Sequence, residues 1–132
     1  MKAPEPNLDT CVDFPVFVGN DLVHLPGFRQ LLNPSFIRRA YAESEVNYCE
    51  QFEDSGLRYA STWAAKEATM KALRQAIPGF TCPWKQIVIL REKASGIPHV
   101  HLPEKAGTEL KSRLTLSHDG DYVWAIALMS KA

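Results

Sequence analysis

Apolar residues in this chain follow two rhythms. In the run RYASTWAAKEATMKAL (58–73) and just beyond it, alanines recur every fourth position, at Ala60, Ala64, Ala68, Ala72 and Ala76. On a helix they form one inclined ridge of methyl groups, which lets another element approach the axis closely. Ala, Lys, Glu, Met and Leu favour helix, and neither Gly nor Pro interrupts the run. Ser55-Gly56 offers a start and Pro78-Gly79 a stop. The second rhythm is β. Residues 14–18 are apolar and read as a strand bounded by Gly19. Residues 87–90 (IVIL) are a continuous, largely β-branched run, hence a buried strand. Residues 98–102 alternate and join that strand through Ser95-Gly96. Residues 113–117 and 122–129 form a last hairpin turning at Asp119-Gly120-Asp121, the second strand apolar enough to be central.

Between the first strand and the long helix the pattern predicts short helices. One spans 25–32 after Pro26. A second begins at the cap Asn33-Pro34-Ser35, with Phe36, Ile37, Ala40 and Tyr41 set against Arg38, Arg39, Glu43 and Glu45. A third covers 45–52, and another helix is expected over 103–110. The whole is α+β, with the long central helix covering one face of an antiparallel sheet. Residues 1–13, polar and carrying Pro4 and Pro6, read as a flexible arm before a single domain over 14–132.

Fifteen basic and fifteen acidic residues cancel in formal charge, and the Lys and Arg are dispersed. That excludes the basic field of a nucleic-acid binder. No window approaches the ~18 apolar residues of a membrane span, and MKAPEPNLDT has no apolar signal core. The three cysteines, Cys11, Cys49 and Cys82, have no C-x-x-C spacing, so neither a disulfide framework nor a zinc site is expected. A reducing cytoplasm fits.

Glu67 and Lys71 are helix neighbours. They suit either a solvated ion pair or a metal-bridged phosphate, the carboxylate holding a hard cation while Lys66 and Lys71 neutralise oxygens. Helix chemistry alone does not choose. Asp21, just past a glycine at the expected strand end, is either a turn former or a side chain presented to a ligand. His99 and His101 share a strand face, but a zinc site needs three or four ligands, so they read as exposed or packing residues. His118, at a strand end beside Asp119, suits turn chemistry or base chemistry near neutrality.

Five motifs, in order, choose among these. Trp63-Ala64-Ala65-Lys66-Glu67-Ala68 resembles the W/F-x-x-K-E-A motif of 4'-phosphopantetheinyl transferases, in particular the short holo-acyl-carrier-protein synthases. Val18-Gly19-Asn20-Asp21-Leu22-Val23 is similar to their G-x-D-[IL]-V motif, and Phe36-Ile37-Arg38-Arg39 with Glu43 and Glu45 to their F-x-x-R…E-x-E segment. Ser95-Gly96-Ile97-Pro98 resembles the G-x-P hairpin, and Leu114-Thr115-Leu116-Ser117-His118-Asp119 the late strand ending in S-H. The likeness covers about residues 15–130.

The resemblance implies a ferredoxin-like variant of the α+β fold and Mg²⁺-dependent transfer of 4'-phosphopantetheine. The group passes from coenzyme A to a serine of an apo acyl carrier protein or carrier domain. It implies Asp21 and Glu67 as Mg²⁺ ligands. Lys66 and Lys71 would be phosphate-neutralising cations, or one of them a structural partner of Glu67. Arg58, Gly96, Pro98 and His118 would bind coenzyme A, His118 serving as base or as phosphate ligand. Glu67, Lys71 and His118 would be catalytic, and Arg38 and Arg39 would contact the acidic carrier. It also implies a homotrimer with active sites between chains. One departure stands out. The family commonly has Arg or Lys where this chain has Thr62, so that charge must pass to a neighbour such as Arg58 or be lost. The stretch NPSFIRRAYAESEVNYC (33–49) is similar to the transferase domains of multifunctional fatty acid synthases. The alternative from another class is a non-catalytic scaffold derived from this fold.

Overall fold

The computed structural model describes residues 2–8 and 14–131. The arm expected over 1–13 falls in part, with Cys11, outside the described residues. Strand β1 (Val16–His24) leads into three seven-residue helices, α1 (Leu25–Leu31), α2 (Pro34–Ala40) and α3 (Glu43–Cys49). Asn33 caps α2 by accepting from the Phe36 amide at 2.9 Å. The long helix α4 (Ser55–Ala76) follows, capped by Asp54, whose carboxylate accepts from the Leu57 amide at 3.2 Å. Then come β2 (Val88–Arg91), β3 (Pro98–His101), β4 (Leu110–Asp119) and β5 (Tyr122–Lys131).

β1, β5 and β4 form an antiparallel sheet in that order, with the apolar β5 central as its composition requires. β2 and β3 form a separate antiparallel hairpin. The register places Asp21 opposite Ala125, with Leu116 on that residue's other side. Helix α4 lies on β1 and β5. Its alanines Ala60, Ala64, Ala68 and Ala72 are fully buried, and so are the facing Ala125 and Ala127. Small residues on both sides bring the helix against the sheet. Among the described residues no helix is long and apolar enough to cross a membrane.

Three expectations need correction. Gly19 does not end β1 but sits inside it, paired with Ala127, so Asp21 lies within the strand. The glycine is there for closeness: a Cβ at Gly19 would stand 1.9 Å from the Ala68 carbonyl oxygen of α4. The helix expected over 103–110 is one 3₁₀ turn, Glu104–Ala106. It is halted by Gly107 at φ 81°, a backbone conformation that glycine adopts without steric cost. Strand β2 is only half buried: Ile89 is inside, while Leu90 is 47% exposed.

Candidate functional site

Strand alternation turns Asp21 toward α4, where it is 7% exposed. Its Oδ1 accepts from Lys71 Nζ at 3.1 Å, and the same ammonium donates to the Asn20 carbonyl at 2.9 Å. Asp21 Oδ2 is buried, and among the described residues no group donates to it except the Glu67 carboxyl when protonated. The Glu67 carboxyl interacts with that of Asp21. Burial first, then Asp21, push Glu67 up to about 8, against the pull of Lys71 and of the Trp63 side chain. Once Glu67 gives up the proton it shares with Asp21, a buried carboxylate oxygen is left without a donor, which costs about 1–3 kcal/mol, and the two carboxylates repel. A cation between them removes both costs. Among the described residues no group of three or more His, Cys, Asp and Glu gathers for a metal. The chain therefore offers two carboxylates and an open remainder, the incomplete oxygen shell a hard divalent ion fills with water and phosphate oxygens.

A second cluster lies across the helix. A cavity of about 320 Å³ is lined by Arg58 from α4, Gly96 and Pro98 from the β2–β3 hairpin, and His118 from β4. These are four of the six residues expected around coenzyme A; the other two, Lys66 and Lys71, do not line it. Arg91 and Tyr48 also line it; neither stood out in the sequence. Arg58 lies over the Phe52 ring (4.1 Å to the centroid) and Arg91 over the Tyr48 ring (4.7 Å). The two rings pack edge to face at 5.1 Å. Among the described residues neither guanidinium is ion-paired with a carboxylate. Burial lowers the Arg91 pKa, and the charge of Arg58 adds to that effect. Two unneutralised guanidiniums facing one concavity make an anion site.

The two clusters do not merge within one chain. Nine residues separate Arg58 from Glu67, and at roughly 100° per residue they point to opposite sides of α4. The carboxylates therefore stand on one flank and the basic cavity on the other. The opposite face of the sheet presents exposed apolar side chains from β1 and β5. Val16, Val18, Leu22, Tyr122, Trp124 and Leu128 are 37 to 61% exposed there.

Lys66 is not where the motif reading put it. Its side chain is fully buried and donates to Glu45 Oε1 at 2.6 Å and to the Ile87 carbonyl. It neither faces the cavity nor pairs with Glu67. Lys71, expected beside Glu67 along the helix, reaches across to Asp21. Thr62 is 1% exposed and packs its hydroxyl 3.8 Å from Cys49 Sγ, so the missing cation leaves a buried polar contact. Arg38 and Arg39 are exposed in the last turn of α2. His99 is taken up by Glu92 across the hairpin, and His101 is exposed.

A family profile described as the 4'-phosphopantetheinyl transferase superfamily matches residues 17–127. Fatty acid synthase alpha subunit hexA of Dothistroma septosporum is 37% identical over 111 residues, 84% of this chain, but the match spans only 33% of that subunit. Holo-[acyl-carrier-protein] synthase of Chlamydia caviae is 32% identical over 84% of this chain and 93% of its own length. Among solved structures, the Chronobacterium ammoniagenes ACPS–CoA complex superposes with a TM-score of 0.77 at 30% identity, over 89% of this chain and 98% of that one.

Proposed function

The chain belongs to the 4'-phosphopantetheinyl transferase superfamily, and on that premise we propose that it transfers 4'-phosphopantetheine from coenzyme A to a carrier-protein serine. The observation that carries this reading is the carboxylate pair. Asp21 Oδ2 is buried beside the Glu67 carboxyl, and Lys71 is already in place on Asp21 Oδ1. That arrangement suits Mg²⁺, which would be held by Asp21 and Glu67 and when bound would offset phosphate charge.

In the reaction the serine oxygen attacks the β-phosphorus of coenzyme A. The bond from that phosphorus to the bridging oxygen breaks, and adenosine 3',5'-bisphosphate leaves with the electron pair. Asp21 and Glu67 would hold Mg²⁺. The Lys71 ammonium, 55% exposed, turns from Asp21 toward phosphate oxygens as they arrive. Arg58 and Arg91 draw the remaining anionic part of coenzyme A into the cavity beside Gly96 and Pro98. His118 at the same cavity takes the serine proton, or donates to a phosphate while solvent water takes that proton, and the pH profile of His118→Ala decides between these roles. Most of the catalysis is positioning and charge stabilisation.

Because the carboxylates and the basic cavity stand on opposite flanks of α4, one site is best made from two copies. We propose a homotrimer in which the apolar outer face of the sheet is buried and each cavity meets a neighbour's Asp21–Glu67 pair. Arg38 and Arg39 are the surface proposed for the acidic carrier. The likeness to a fatty acid synthase subunit favours the carrier domain of such a synthase, in the cytoplasm. No observation favours the scaffold alternative: the carboxylate pair is intact, and Arg58 and Arg91 supply cations that Thr62 does not.

The test is release of adenosine 3',5'-bisphosphate from coenzyme A with Mg²⁺. Release only when an apo carrier is present is the expected result. Release without any carrier would make this a hydrolase, and none under either condition would remove the proposal.

A further inference from the structure

Lys66 is the one charged residue of the W-x-x-K-E-A run whose side chain is wholly enclosed. Its Nζ meets Glu45 Oε1, which also accepts from the Ala42 amide at 2.8 Å. Glu45 Oε2 accepts from the Ile89 amide at 2.9 Å, and Lys66 Nζ donates to the Ile87 carbonyl. One buried ion pair thus binds α4, the start of α3 and both residues flanking Val88 at the entrance to β2. The hairpin that begins there carries Arg91, Gly96 and Pro98 into the cavity.

We infer that Lys66 and Glu45 are positioning residues that set the β2–β3 wall of the anion cavity against α4. The inference rests on the transferase reading for its kinetic consequence. Its structural content stands apart from that reading. Lys66 sits beside Glu67 in sequence, yet the pair pulls Lys66 inward while Glu67 remains on the flank that faces Asp21. A buried ion pair has little net worth compared with apolar packing, but breaking it strands a charge. The pair is therefore suited to holding one arrangement rather than to adding stability. Tyr41 completes the enclosure, with Lys66 Nζ 5.8 Å from its ring centroid.

The test compares Glu45→Gln, the milder change, with Lys66→Met and the double variant. Hydrogen exchange is followed at the Ile89 amide and across the hairpin. Each single variant is expected to lose protection at Ile89 and to raise KM for coenzyme A roughly tenfold, with kcat within about twofold of wild type. The double variant should be no worse than either single, because both remove the same contact. Unchanged exchange at Ile89 in Glu45→Gln would overturn the inference. So would a kcat loss in Lys66→Met that Glu45→Gln does not share, which is the mark of a phosphate ligand. If wild-type protein transfers nothing, the transferase reading fails, and the exchange result alone still decides whether the pair positions the hairpin.

Discussion

Lys71 Nζ lies 3.1 Å from Asp21 Oδ1, while Asp21 Oδ2 is left buried beside the Glu67 carboxyl. One oxygen is neutralised by a half-exposed lysine; the other has no cation beside it among the described residues.

The metal-free protein should lose stability as pH rises. Glu67 has its folded pKa raised from 4.5 to about 8. The stabilisation is then fully present below the unfolded value and is lost as pH rises through the folded one. Tm measured with chelator should fall between about pH 5 and pH 9, and Mg²⁺ should raise Tm more at the upper end. A Tm that is flat across this window, with or without Mg²⁺, would separate Glu67 from any metal.

Gly19→Ala should destabilise by about 3 kcal/mol or more, since a well-packed interior resists added volume and the new Cβ would meet the Ala68 carbonyl at 1.9 Å. Because Asp21 is two residues along the same strand, transfer should fall as well. Urea unfolding at matched protein concentration measures the first effect. A midpoint equal to wild type would contradict the close approach of α4 to β1.

Arg91→Ala should raise KM for coenzyme A roughly tenfold through loss of a charge-assisted contact in a concave site. The fold should be kept, because the guanidinium rests on Tyr48 without an ion-pair partner. Calorimetric titration with coenzyme A checks this. Unaltered affinity would place the substrate elsewhere.

Mixing Glu67→Gln and Arg91→Ala copies tests whether sites form between chains. With coenzyme A well below KM, each variant alone should be weak. After dissociation and random reassembly about a quarter of the shared sites would draw both intact halves, as closed symmetry requires. Recovery to roughly a quarter of wild-type turnover supports the inter-chain site; no recovery places both halves in one chain.

Much of this architecture was legible because it is periodic. The fourfold spacing of alanines gives α4, and the apolar run of β5 gives the centre of the sheet. What sequence reading missed depends on contacts distant in the chain. Gly19 resembles a strand terminator unless Ala68 is known to lie against it. Lys66 looks like an available cation until Glu45, 21 residues away, is brought beside it. Arg91 passes for an ordinary position at the end of an apolar strand, because the pairing of its charge with Arg58 arises only when the hairpin meets α4. The cue available was a cation closing the apolar run, four residues before Ser95. Motifs singled out Asp21, Glu67 and His118 as candidates, but the placing of the two carboxyls and of His118 on different flanks of α4 needed the fold.

Intact mass spectrometry of an apo carrier domain incubated with this protein, coenzyme A and Mg²⁺ tests the central claim most directly. The account predicts a gain of one phosphopantetheine on the carrier, abolished by chelator and by Asp21→Asn. A carrier mass that stays unchanged with folded wild-type protein, across fatty acid synthase carriers and free acyl carrier proteins alike, would contradict it.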